Sequence, residues 1–119
     1  MTRSVIIASG MRTAIGDFGG ALSGLRPSEL GVAVAAEAIA RAGIPATEIQ
    51  QVVFGKVIHT LPEDMYLSRV VALGAGVSEA TPALTLNRLC GSGLQAVVTG
   101  AEQIQLGHAD TCLLYTSPS

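Results

Sequence analysis

The chain has 119 residues, 49% apolar and 13% charged, with a net charge of −2. That charged share is well below the usual figure of roughly 25%, and the mean hydropathy is +0.50. A disordered polyelectrolyte, which needs low hydrophobicity and high charge, is therefore excluded.

Lys56 is the single lysine and no basic stripe exists, which argues against a nucleic-acid partner. The longest charge-free run, Leu89 to Ala101, contains three glycines. It is shorter than the ~20 residues a bilayer span needs, so no membrane role is expected. The N-terminal apolar run after Arg3 does not resemble a secretory signal. Cys90 and Cys112 do not make a disulfide framework. The expected location is the reducing cytoplasm, where free thiols persist. Fourteen glycines and only four aromatic residues predict packing by close approach of small residues. The chain is also apolar for a small free monomer. Part of its surface is expected to be covered by another subunit or by more chain.

In chain order, Ser4 to Ser9 predicts a buried strand, with Val5, Ile6, Ile7 and Ala8 in one run. Met11 to Gly24 is a glycine-rich loop. Pro27 opens a helix, Ser28 and Glu29 suit its first turn, and Gly43 closes it. Leu30, Val34 and Ala38 share one face of that helix, with Ile39 beside them. Thr47 to Gln50 is a short turn or a helical piece. Gln51 to His59, rich in β-branched residues, predicts a second strand. Pro62, Glu63 and Asp64 start a second helix that runs to about Leu73. A third strand spans Ala83 to Leu89. A third helix then carries Leu94, Val97, Val98, Ala101 and Ile104 as its predicted buried stripe and ends at Gly107. Thr111 to Leu114 suits a fourth strand. The order β-α-β-α-β-α-β predicts an α/β fold with mostly parallel strands.

Between the third strand and third helix stands Cys90-Gly91-Ser92-Gly93. A helix start presents unpaired N–H groups and the positive end of the macrodipole. Both favour a thiolate over a thiol. Gly91 and Gly93 leave room for a carbonyl substrate and for backbone amides to face a developing oxyanion. The pattern suits acyl transfer through a thioester. Read locally, the pattern favours a small core cysteine packed at a helix start, because free cysteines are often simply buried. Other glycine motifs fail. Ser92 lacks the flanking glycines of G-x-S-x-G. Gly91, Gly93 and Ala96 match G-x-G-x-x-A, but Asp110, the acidic residue ~20 positions on, precedes a strand instead of ending one. No Gly-Lys-Ser/Thr occurs.

The segment Asn87-Arg88-Leu89-Cys90-Gly91-Ser92-Gly93-Leu94-Gln95-Ala96 resembles the nucleophile motif of thiolases. Arg12 to Gly20 resembles that family's first loop. Glu29-Leu30-Gly31 resembles its first helix, and Val53 to Val57 its second strand. Asp64 to Arg69 is similar to bacterial β-ketothiolases. The resemblance covers residues 3 to 110. It implies a truncated N-terminal part of the thiolase fold, an α-β-α layered sandwich with a mixed, mostly parallel sheet.

The resemblance also implies chemistry. Cys90 would accept an acyl group from acyl-CoA, and acetyl-CoA would condense with it; thiolysis of a 3-ketoacyl-CoA is the reverse. CoA thioesters would be substrates, with no cofactor or metal. A full-length protein would be a homodimer or homotetramer. The histidines and second cysteine that thiolases use lie in the family's C-terminal half, so this chain alone is expected to be inactive. His59, His108 and Cys112 do not match those motifs. Asn87 and Arg88 either line a pocket or hold the turn, and Arg12 and Asp17 are expected to pair across the first loop. An alternative is a non-catalytic module that docks on full-length thiolase subunits.

Residues 1–110 are therefore expected to form a partial thiolase domain. Residues 111–119 lack the family's glycine-rich continuation, and Ser117-Pro118-Ser119 reads as a loose tail. This stretch is expected to be non-native or divergent sequence.

Overall fold

Pro27 fixes the backbone for the first turn of helix α1, Pro27–Ala42. The Glu29 carboxylate accepts the Arg26 amide at 2.8 Å, and Gly43 ends the helix at φ 69°, the left-handed region that glycine occupies freely. The structure, a computed structural model, describes residues 3–116. After α1 come strand β1 (Gln51–Gly55), helix α2 (Leu67–Gly74), strand β2 (Ala83–Leu86), helix α3 (Ser92–Gln105) and strand β3 (Cys112–Thr116). Short 3-10 turns at Ala46–Glu48 and Pro62–Tyr66 lead into β1 and α2.

The three strands are parallel in the order β2-β1-β3. Val52 lies opposite Ala83 on one side and Leu113 on the other. Central β1 is buried on both faces, as parallel strands between helix layers must be. Val52 and Phe54 join Ala35, Ile39, Leu67 and Val71 in the main core, and the Phe54 ring packs against Tyr115 at 4.9 Å between centroids. Val53 and Gly55 point the other way by strand alternation, toward α3. The result is an α-β-α sandwich, with α1 and α2 on one face and α3 on the other.

Helix α3 differs from expectation. Its buried residues are Ser92, Ala96 and Gly100, spaced four apart, whereas Leu94 is 72% exposed, Val97 and Val98 are 40% and 41% exposed, and Ala101 and Ile104 are half-buried. The cause is the closeness of helix to sheet. A Cβ on Gly55 would stand 2.8 Å from the Ser92 Cβ and 2.9 Å from its carbonyl carbon. A Cβ on Gly93 would meet Thr116 at 2.9 Å, and one on Gly100 would meet Leu114 at 2.5 Å. Only the small-residue face fits.

Residues 3–10 do not form the expected strand at Ser4 to Ser9; they have no regular secondary structure, with Ile6 and Ile7 more than four-fifths exposed. A strand exists only through ladder hydrogen bonds, and residues 3–10 stand off from the free edge of β3 across a cleft and make none with it among the described residues. An apolar cleft of about 820 Å³ lies between Val5–Thr13 and the α1, α3 and β3 residues. The segment is tethered at its ends. Arg3 donates to the Ile104 and Ala109 carbonyls and pairs with Asp110, while the Ser9 hydroxyl donates to the Ala38 carbonyl at 2.6 Å. Strands β1 and β2 end earlier than predicted, at Gly55 and Leu86, whereas β3 starts one residue later than predicted and runs two residues further, to Thr116. Within the stretch set apart as a tail, residues 112–116 are ordered strand, with Leu113 buried against α1. Ser117, Pro118 and Ser119 lie outside the described residues.

Lys56 and Asp64 are a buried ion pair at 3.7 Å. Burial pushes the Asp64 carboxyl upward, but the Thr60 amide and hydroxyl, the Leu61 amide and the Lys56 charge outweigh it and hold it below the usual value. A depressed folded-state value contributes stability above the unfolded carboxylate value of about 3.9, and that stability is lost as pH falls through the folded value. Acid unfolding followed by circular dichroism will therefore begin at higher pH in Asp64→Asn than in the parent. Gly55→Ala will destabilise the fold by about 1–3 kcal/mol through overpacking, seen as a lower urea midpoint with an unchanged slope.

Candidate active site

The C-terminal ends of β1 and β2 meet the start of α3, and the functional turn is built there. Residues 87–91 leave β2 and feed α3 without a linker. Leu89 sits at φ 47°, the single non-glycine residue with positive φ among the described residues. For an L-residue this conformation costs about 1–2 kcal/mol, so its surroundings must hold it.

They do so through five short bonds. The Leu89 amide donates to Asn87 Oδ1 at 2.8 Å, and Asn87 Nδ2 donates to the Val57 carbonyl at 3.3 Å. The Arg88 amide donates to Ser92 Oγ at 2.8 Å, and that hydroxyl donates to the Leu89 carbonyl at 2.7 Å. Arg88 Nη1 donates to Gln95 Oε1 at 2.6 Å. Asn87 and Arg88 thus hold the turn, one of the two roles their position allows.

Cys90 comes directly after, exposed and unpaired to any other cysteine. It is displayed at the mouth of the turn and is not a core residue. The amides of Gly91 and Ser92 donate to the Arg88 and Leu89 carbonyls, so these two are engaged in the turn and do not face outward as oxyanion donors. Cys112 is different. It is half-buried in β3, its Sγ lies 3.7 Å from the Gly100 carbonyl, and burial pushes its thiol upward. The two cysteines sit at opposite ends of α3.

The remaining candidates are scattered. His59 is exposed beyond β1, and His108 is exposed at the far end of α3. Arg12 and Asp17 are both exposed and form no ion pair with one another among the described residues. Two features escape sequence reasoning. Ser92, which fails as a G-x-S-x-G nucleophile, is 3% exposed and serves as the bolt of the turn. The buried Lys56–Asp64 pair gives one signal only, a lone lysine at the end of an apolar strand.

Residues 5–115 match the family described as the N-terminal domain of thiolase. The chain belongs to the thiolase family. It is 55% identical over 113 residues to the beta-ketothiolase BktB of Cupriavidus necator, covering 95% of this chain and 29% of that one. It is 41% identical to an acetyl-CoA acetyltransferase of Syntrophomonas wolfei, covering 92% of this chain and 28% of that one. Among solved structures, human mitochondrial 3-ketoacyl-CoA thiolase in complex with CoA superposes with a TM-score of 0.83 at 34% identity, over 86% of this chain and 26% of that one. The Bacillus anthracis acetyl-CoA acetyltransferase gives 0.85 at 38% identity, over 91% and 27%. The thiolase chain here thus spans under a third of the length of these relatives. Its fold is the N-terminal part of theirs.

The two thiols give a direct check. Iodoacetamide at neutral pH will modify Cys90 at least about tenfold faster than Cys112, because exposure and thiolate content set the rate. Peptide mass spectrometry separates the two sites.

Proposed function

We propose that this chain carries the nucleophilic part of a thiolase active site, with Cys90 as the acyl acceptor. The observation that carries the proposal is the placement of Cys90: exposed, at the start of α3, on a turn held by five hydrogen bonds, inside the segment that matches the family.

The Cys90 thiolate attacks the carbonyl carbon of an acyl-CoA. A new C–S bond forms, the bond to CoA sulfur breaks, and CoA leaves as thiolate and takes up a proton. Exchange of one thioester for another is close to energy-neutral, so sulfur is a suitable nucleophile. In the second half, acetyl-CoA loses an α-proton and its carbanion attacks the acyl-enzyme. A C–C bond forms and Cys90 departs as thiolate. The reverse sequence is thiolysis of a 3-ketoacyl-CoA. Among the described residues, no histidine lies on the Cys90 turn and Cys112 is at the other end of α3. Groups that move the α-proton therefore have to come from elsewhere, and the chain alone has no turnover.

The full-length protein is a homodimer or homotetramer on this proposal, working in the cytoplasm on CoA thioesters without a metal or prosthetic group. No helix among the described residues is long and apolar enough to cross a membrane. The stretch from residue 111 remains a candidate for divergent sequence, and the genomic reading frame beyond Asp110 tests that.

A chimera tests the enzymatic proposal. Residues 1–115 are joined to the remainder of the Cupriavidus necator relative. The chimera is expected to cleave a 3-ketoacyl-CoA in the presence of CoA, while its Cys90→Ala form and the isolated chain are inactive. A chimera as active with alanine as with Cys90 would sink the assignment. Turnover by the isolated chain would sink the claim that it is incomplete.

A further inference from the structure

We infer that Ser92 is a positioning residue for Cys90, acting through the left-handed turn at Leu89. The inference rests on the proposed role of Cys90 and adds the group that holds it in place. Ser92 has no access to a substrate, since it is buried beneath the turn, and its hydroxyl is fully committed. That hydroxyl accepts from the Arg88 amide and donates to the Leu89 carbonyl, so one side chain grips the backbone on both sides of Leu89. The Asn87 carboxamide takes the remaining Leu89 amide. Every polar backbone group of Leu89 is thereby tied.

The grip is needed because Leu89 gains nothing else from its conformation. Its side chain is 69% exposed, so no burial compensates for a positive φ. Strain of this kind persists only where the surroundings over-determine it. Ser92 is itself fixed from below. Gly55 at the end of β1 presents no Cβ, and the Ser92 backbone and Cβ occupy that space. A rigid sheet end therefore locates Ser92, Ser92 locates Leu89, and Leu89 sets the direction in which Cys90 leaves the turn. The chain of contacts runs from the core to an exposed thiol in three steps.

The role predicts a specific rescue. Ser92→Ala removes both bonds with little change of volume, and Leu89 relaxes toward ordinary backbone angles. Leu89→Gly makes the left-handed angle free of strain, so in the Ser92→Ala background it restores the turn without the hydroxyl. The test uses the 119-residue chain and four forms: parent, Ser92→Ala, Leu89→Gly and the double variant. Hydrogen exchange of the Arg88 and residue-89 amides and iodoacetamide modification of Cys90 are read together, with Cys112 as internal control. Ser92→Ala is expected to speed exchange of the Arg88 amide, which loses its acceptor, at least about tenfold. It is expected to slow Cys90 modification at least about threefold, because the relaxed turn no longer holds the thiol exposed ahead of α3. The Cys112 rate stays fixed. The double variant is expected to recover most of the Cys90 rate. Unchanged exchange of the Arg88 amide, an unchanged Cys90 rate, or no recovery of that rate in the double variant overturns the inference. A rise in Cys112 modification, which reports general loosening, also counts against it. These readings do not use CoA chemistry, so an inactive chimera would remove the proposed enzymatic function and leave this result to stand or fall separately.

Discussion

Helix α3 lies on the sheet at a distance that side chains larger than hydrogen forbid at three points. Gly55, Gly93 and Gly100 each leave space that a neighbour already fills. The rest of the molecule is arranged around this contact. It puts the first turn of α3 directly over the end of β1, brings Ser92 against the sheet, and leaves Leu94 facing outward with Val97 and Val98 partly covered. Packing by small residues gives up some hydrophobic burial per contact but gains rigidity at the helix entry. The role proposed for Cys90 would benefit from that rigidity, since displacements of about 1 Å can be costly to a reaction.

The opposite face uses ordinary hydrophobic packing. Phe54, Val52, Leu67 and Val71 are fully buried among α1, α2 and β1. The buried Lys56–Asp64 pair closes the end of this core near the 57–66 loop. Its hydrogen bonds from Thr60 and Leu61 satisfy one carboxylate oxygen and compensate for desolvation. The two faces thus divide the work: one supplies stability, the other supplies a fixed platform.

Much of this architecture is legible in the sequence, for identifiable reasons. Pro27 and Gly43 mark α1 because their backbone preferences are nearly independent of context. β1 and β2 begin where predicted because Gln51 and Ala83 open the β-branched or apolar runs. The Cys90 turn is legible from its glycines and its resemblance to thiolases. The buried face of α3 is not, because periodicity counts large apolar residues and the sheet selects small ones. The strand expected at Ser4 to Ser9 has the right composition, but a strand is defined by its partner, and composition carries no record of that. The role of Ser92 is hidden because its meaning depends on the backbone angle of Leu89, three residues earlier.

Both outer strands, β2 and β3, have edges unpaired within the described residues, and Ile6 and Ile7 lie bare beside the cleft next to β3. Natural sheets blunt such edges with charge, proline or covering elements. Here β3 carries Cys112, Leu113, Leu114, Tyr115 and Thr116 without one charged residue. Released alone into a crowded cell, this polypeptide is a template for intermolecular strand addition. Its lifetime would then be set less by its folding equilibrium than by how quickly chaperones or proteases reach it.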